Sequence, residues 1–135
     1  MLKDFLTKPV ITGLDSFEAI AGACIAACLE CESQHVAQNN RTMDTRCIQT
    51  CQDCADLCAI TMAFAKRASP FTAVLARLCT KACYANALEC EKNCNSDPAQ
   101  KCKEACLQCA KECGLLEEKF IALFGKQSEK QHTNT

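Results

Sequence analysis

Cysteines recur along this chain in steps of four, three and four residues, and this spacing constrains the fold more than any other feature. At 100° per residue, such steps keep four side chains within an arc of roughly 60° on an α-helix. The four sets are Cys47, Cys51, Cys54 and Cys58; Cys102, Cys106, Cys109 and Cys113; Cys24, Cys28, Cys31 and His35; and Cys79, Cys83, Asn86 and Cys90, with Cys94 beyond. The repeat therefore predicts four helices, each with one face lined by sulfur.

The segments between the repeats are typical of helix ends. Asp15 with Glu18 predicts a capping box, and Asn39-Asn40-Arg41 predicts a turn. Ser69-Pro70 and Asp97-Pro98 each predict an N-cap followed by proline at the first helical position, with Gln100 completing the second box. Only four glycines and three prolines occur in 135 residues, which is too little turn chemistry for a many-stranded β protein. We predict an all-α fold, an antiparallel four-helix bundle with a cysteine-lined core.

The length fits one domain, which we divide into three parts. Residues 1–14 form an N-terminal segment with room for a short helix across the bundle. Residues 15–124 form the four-helix bundle, and the polar residues 125–135 are predicted to be a disordered tail.

An up-and-down order of helices gives the predicted bundle two different ends. The end near residues 40 and 96 collects His35, Met43 and the outermost cysteines. The opposite end is predicted to be an apolar plug made of Phe17, Ile20, Met62, Phe64, Phe71, Leu75, Leu78, Leu116, Phe120 and Leu123. The sulfur would then line a tube roughly 16–20 Å long, closed at one end and open at the other.

The number of thiols indicates metal binding. Lys8 and Pro9 interrupt the first apolar run, no cleavage site of small residues follows, and no apolar window reaches the length of a membrane span. We therefore expect a cytoplasmic protein without a membrane partner, in a compartment where thiols stay reduced. Fifteen is also an odd count, which argues against a full set of disulfides, and a net charge of −1 argues against nucleic acid.

Charge favours Cu(I) among the soft ions that thiolates select. Three tetrahedral zinc sites built from twelve thiolates would leave a buried charge of roughly −6, and the repeats contain no lysine or arginine. Each Cu(I) instead replaces one thiol proton, so the core stays near neutral. A metallothionein-like zinc buffer is the alternative metal function. The CxxC pairs also leave open a thiol–disulfide redox protein. The Cu(I) interpretation requires no catalysis.

Over residues 15–124 the repeated C-x3-C-x2-C-x3-C pattern resembles that of the bacterial copper storage proteins, and the lack of an export signal resembles their cytosolic branch. The resemblance implies storage of many Cu(I) ions per chain and a homotetramer of bundles. It also implies binding by the CxxxC pairs Cys24/Cys28, Cys47/Cys51, Cys54/Cys58, Cys79/Cys83, Cys90/Cys94, Cys102/Cys106 and Cys109/Cys113, with Cys31 outside them.

Three other residues complete the predicted site. His35 continues a cysteine repeat and Met43 lies beside a loop, so both are predicted ligands at the open end, matching the soft non-cysteine ligands of the family. Asn86 departs from the family pattern. The site there is expected to be incomplete or to use the amide oxygen, unless Asn86 is a structural residue that hydrogen-bonds a thiol or the backbone.

Overall fold

The computed structural model describes residues 13–38, 44–93 and 96–133, with side chains over 13–37, 46–92 and 96–125. Four helices make up nearly all of these ranges: α1 (Leu14–Gln38), α2 (Asp44–Lys66), α3 (Thr72–Asn93) and α4 (Asp97–Thr133). Each helix packs against two neighbours in a ring, with α1 closing against α4. Across the described helices, neither diagonal pair has close backbone contact. The predicted four-helix bundle is confirmed.

A strained turn ends α2. The N–H groups of Ala68 and Ser69 donate to the carbonyl oxygens of Ala65 and Phe64, both at 3.0 Å. This pair of bonds satisfies carbonyls that the end of a helix would leave unpaired. It places Ala68 at a φ of 53°, a left-handed conformation that costs a non-glycine residue about 1–2 kcal/mol.

The starts of α3 and α4 differ from the predicted ones by one or two positions. Ser69 Oγ accepts the N–H of Phe71 at 3.1 Å, but Pro70 lies in the connecting turn and α3 begins only at Thr72. Ser96 Oγ accepts the N–H of Ala99 at 3.3 Å, so Ser96 caps α4 in place of Asp97. The predicted box with Gln100 is therefore wrong, because the cap lies one residue earlier.

The start of α1 depends on Gly13, whose φ is +84°. The N–H of Phe17 donates to the carbonyl oxygen of Gly13 at 3.1 Å, so the helix starts at Leu14 and Asp15 lies in its first turn. Asp15 is thus not the cap that the sequence predicted. Residues 1–12 of the predicted N-terminal segment lie outside the described residues, as does the predicted turn at 39–41.

The last helix is longer than predicted. The sequence indicated an end at Phe124 followed by a disordered tail from residue 125, but α4 continues through Gly125 to Thr133. Residues 126–131 are lysine, glutamine, serine and glutamate, most of which favour helix, and one glycine inside a helix costs only about 1 kcal/mol. The helix end at Phe124 is therefore corrected.

An apolar plug fills the end of the bundle where α2 meets α3, with Phe17, Leu116 and Phe120 fully buried. Ile20 and Met62 pack against it as partly buried residues. The plug positions on α2 and α3 are small residues that the sequence analysis missed: Thr61, Ala65, Thr72 and Ala76. Three predicted plug residues are exposed instead, namely Phe71, Leu78 and Leu123. They were chosen for their hydrophobicity, but Leu78 and Leu123 lie on the outer faces of their helices and Phe71 lies in the turn before α3.

Candidate metal centre

Sulfur fills the bundle beyond the plug. All fourteen cysteines of the described residues are free thiols, and none exposes more than 2% of its surface. Among the described side chains, the buried polar or charged ones are His35, Thr61, Thr72, Asn86 and Glu89. Glu89 forms a 2.9 Å ion pair with Arg46 Nε. The described lining thus contains no lysine or arginine that could neutralise thiolates.

The thiols meet in five groups whose sulfur atoms lie within 4.8 Å of one another. From the plug outward, the groups are Cys79, Cys109 and Cys113; Cys24, Cys58, Cys83 and Cys109; Cys24, Cys28, Cys54 and Cys106; Cys31, Cys51 and Cys102; and Cys31, Cys47 and Cys90. Neighbouring groups share a member except between the third and the fourth, and a shared sulfur can bridge two ions. Groups joined by shared sulfurs suit chains of soft ions better than separate tetrahedral sites.

Sulfur also joins the helices that lie diagonally across the bundle. The sulfur atoms of Cys58 and Cys109 lie 3.6 Å apart, and those of Cys54 and Cys106 lie 3.8 Å apart. Both pairs connect α2 with α4, whose backbones have no close contact in the described part of the chain. The thiols therefore occupy the axis of the bundle, where leucine and isoleucine would otherwise pack.

Most of these contacts run between helices and few run along one helix. Of the predicted CxxxC pairs, Cys24/Cys28 and Cys109/Cys113 each lie together in one group, the latter with sulfurs 4.0 Å apart. The remaining described pairs are divided between groups. Their use as two-residue clamps for one ion stays a prediction.

The helices are also staggered. Up-and-down topology with an equal repeat on each helix predicts that Cys24 lies at the closed end with Cys58, Cys79 and Cys113. In the structure Cys24 lies further out, 3.8 Å from the sulfurs of both Cys54 and Cys106. The innermost group instead contains Cys79, Cys109 and Cys113.

The pKa values of neighbouring thiols shift in opposite directions. Hydrogen bonding with Cys106 lowers the pKa of Cys24, and hydrogen bonding with Cys102 raises the pKa of Cys28. Contacts led by Cys102 raise the pKa of Cys31 to about 12. A sulfur that loses its proton is stabilised by surrounding S–H groups, and its charge makes the next deprotonation harder. Neighbouring thiols therefore do not all lose their protons together, and a bound cation would replace those that remain.

His35 lies at the outer end of the array, as predicted. Its Nε2 atom is 3.3 Å from the sulfur of Cys47, and the ring is buried. An imidazole nitrogen next to a thiol is a suitable pair of donors for a soft ion. Met43 and Cys94, the other residues predicted here, lie outside the described residues.

The amide of Asn86 lies inside the sulfur array and is fully buried. Its Nδ2 atom is 3.4 Å from the sulfurs of Cys28 and Cys106 and 3.3 Å from that of Cys102. Its Oδ1 atom accepts a 2.8 Å hydrogen bond from Thr50 Oγ1. The predicted hydrogen bond to a thiol is therefore present, and the oxygen points away from the sulfurs. Thr50 was missed because it lies outside the cysteine repeat.

Comparison with known proteins agrees with this geometry. Residues 13–118 match the family described as copper storage protein. The chain belongs to the copper storage protein family. The cysteine-rich protein YhjQ of Bacillus subtilis (strain 168) is 32% identical over 90 residues, covering 67% of this chain and 82% of that protein. The solved structure of Cu(I)-bound copper storage protein BsCsp3 is 29% identical, with a TM-score of 0.69, covering 73% of this chain and 92% of the other.

Membership of the copper storage protein family confirms the resemblance inferred from the cysteine repeat. It also confirms the predicted function, storage of multiple Cu(I) ions by thiolates inside a helical bundle. Within the described residues, none of the helices is long and apolar enough to span a membrane.

Proposed function

We propose that this copper storage protein holds about one Cu(I) per thiolate along the axis of its bundle. The observation that carries the proposal is the meeting of fourteen buried thiols in groups that share sulfur atoms. Each arriving Cu(I) displaces one thiol proton to solvent, and no electron is transferred. The buried charge hardly changes, as required by a lining that contains no basic side chain among the described residues.

The proposed ligands are the fourteen described cysteines together with Cys94, His35 and Met43. His35 is supported by its contact with Cys47. Cys94 and Met43 are proposed from their positions in the sequence, next to the ends of α3 and α2. The protein acts by binding and release, and storage in this form requires no catalytic step.

An anaerobic Cu(I) titration against a competing chelator tests the proposal. We expect tight binding of about 13–16 ions per chain, since bridging thiolates allow roughly one ion per sulfur. A parallel Zn(II) titration serves as the control and should saturate at far fewer ions, because charge limits tetrahedral zinc sites. Saturation with only four or five Cu(I) would contradict storage.

Two broader properties belong to the same proposal. A cytoplasmic location is supported by the free state of the described cysteines, because thiols persist in reducing compartments. Cell fractionation with an antibody to the chain tests it.

A homotetramer is proposed from the family resemblance and is supported by exposed apolar residues. Val74 and Leu78 are exposed on α3, and Phe71 is exposed in the turn directly before it. Adjacent exposed apolar side chains are typical of protein interfaces. Light scattering during size-exclusion chromatography should give four chain masses, and one chain mass would contradict the tetramer.

A further inference from the structure

The sulfur array is divided into two sets. The three groups nearest the plug are connected through Cys24 and Cys109, and the two outer groups are connected through Cys31. Among the described cysteines, none belongs to both sets. The inner set contains Cys24, Cys28, Cys54, Cys58, Cys79, Cys83, Cys106, Cys109 and Cys113, and the outer set contains Cys31, Cys47, Cys51, Cys90 and Cys102.

Asn86 lies at the boundary between the two sets. Its Nδ2 atom contacts Cys28 and Cys106 of the inner set and Cys102 of the outer set, all within 3.4 Å. In the sequence repeat, Asn86 occupies a position where the other helices carry cysteine. Asn86 therefore interrupts both the sulfur array and the sequence repeat.

The orientation of the amide explains why it separates the sets. Thr50 donates to Oδ1 from outside the array, which turns the N–H groups toward sulfur. Amide N–H groups donate to thiolates and cannot bind Cu(I). The amide thus stands where the repeat would place a bridging thiolate, and the side chain is fully buried there.

We propose that Asn86 divides the copper store into two clusters that exchange metal separately. The inner cluster uses nine described thiols, and the outer cluster uses five with His35 at its end. A direct path between them remains where the sulfurs of Cys28 and Cys102 lie 3.9 Å apart. Ions of the outer cluster leave first, and those of the inner cluster must pass the boundary at Cys102, which contacts Cys28 and Cys106. The inference rests on the proposed storage function.

Release kinetics of the fully loaded protein test the division. Excess bathocuproine disulfonate is added anaerobically, and its Cu(I) complex is followed by absorbance. At roughly one ion per thiolate, we expect a fast phase of about five to seven ions and a phase at least tenfold slower of about nine. Binding of only four or five ions would contradict storage itself. Release of a full load in one phase would overturn only the division.

Substitution of Asn86 distinguishes a divider from a simple structural residue. In Asn86→Cys a thiolate replaces the amide and completes the repeat, so the two phases should merge and capacity should rise by about one ion. Ala85→Cys adds a thiol at an exposed position of the same helix, and it should retain both phases. Two phases persisting in a folded Asn86→Cys variant would overturn the proposal.

Asn86→Leu tests whether the amide is itself a ligand. Leucine has a similar shape and cannot bind metal, so we expect an unchanged capacity and both phases. A loss of one or more ions would show that the amide oxygen binds copper, and would overturn the role of a divider. Far-UV circular dichroism of each metal-free variant establishes that it is folded.

Discussion

Thr50 Oγ1 and Asn86 Oδ1 are joined by a 2.8 Å hydrogen bond that connects α2 to α3 beside the sulfur array. Thr50 is also 3.0 Å from the carbonyl oxygen of Cys47, one turn earlier. A hydroxyl has one hydrogen to donate, and leaving the fully buried amide oxygen without a donor would cost more free energy. The hydrogen therefore goes to Asn86. The orientation of Asn86 therefore depends on a residue that does not belong to the cysteine repeat.

Thr50→Val should destabilise the metal-free protein by about 1–3 kcal/mol, since it leaves the oxygen of Asn86 buried without a donor. Urea denaturation under reducing conditions measures the effect. Thr80→Val is the matched control, because Thr80 Oγ1 donates only to the carbonyl oxygen of Ala76 in its own helix. Equal losses in the two variants would show that the bond to Asn86 contributes nothing.

The metal-free protein should already be helical, because the plug residues pack without metal. Phe120→Ala removes a fully buried ring and should cost about 3–5 kcal/mol of stability, while copper capacity stays the same. Tyr84→Ala, at an exposed ring of α3, should change stability by less than about 0.5 kcal/mol. Circular dichroism and denaturation measure both. A metal-free chain that becomes helical only on adding copper would contradict a preformed tube.

The plug shows which buried residues could be predicted from the sequence. Steps of three and four residues, continued past the cysteines, lead to Phe17 on α1, to Thr61 on α2, to Ala76 on α3 and to Phe120 on α4. We instead selected large apolar residues, which placed Phe71 in the core. The spacing was the better guide, because helix geometry fixes which face is buried and side-chain hydrophobicity does not.

The relative heights of the helices could not be predicted in the same way. The repeat is the same on every helix, so sliding one helix by half a turn leaves the pattern of each unchanged. The position of Cys24 beside Cys54 and Cys106 depends on loop lengths and on how the plug packs. For the same reason, the division at Asn86 emerged only from distances between helices.

Ala68→Gly should stabilise the protein by about 1 kcal/mol, because glycine adopts the left-handed conformation of this position without steric cost. Ala63→Gly, at an exposed position inside α2, is the control and should destabilise by a similar amount. Thermal unfolding of both variants gives the comparison. Changes of the same sign would show that the turn at Ala68 is not strained.

The stability of the metal-free protein should decrease above pH 9. The pKa of Cys31 is about 12 in the folded chain against an ordinary value of 9.0. Between these values the folded state keeps a proton that the unfolded state has lost, so rising pH favours unfolding. Denaturation midpoints from pH 8 to 11 measure the decrease. The copper-loaded protein has no thiol protons to lose, and an equal decrease in both forms would contradict this cause.

Uptake kinetics should differ between the two ends of the tube. The double variant His35→Ala with Met43→Ala should slow initial Cu(I) uptake several-fold, with capacity lower by at most about two ions. Cys79→Ser with Cys113→Ser, next to the plug, should lower capacity and leave the initial rate unchanged. Stopped-flow mixing measures both, with His132→Ala as the histidine control. Slow uptake only in the plug-side variant would mean that copper enters from the opposite end.

Sulfur contacts across the diagonals, such as that between Cys58 and Cys109, also have an evolutionary consequence. In an ordinary bundle, leucine and isoleucine replace each other inside at a cost usually below about 1.5 kcal/mol, so interior sequences drift. In this bundle, replacing an interior cysteine by leucine or isoleucine would remove a copper ligand. We therefore expect interiors of related chains to diverge slowly while their outer faces diverge freely. An identity of 32% over the aligned residues would then be the average of a high identity at inner positions and a low identity on the outer faces.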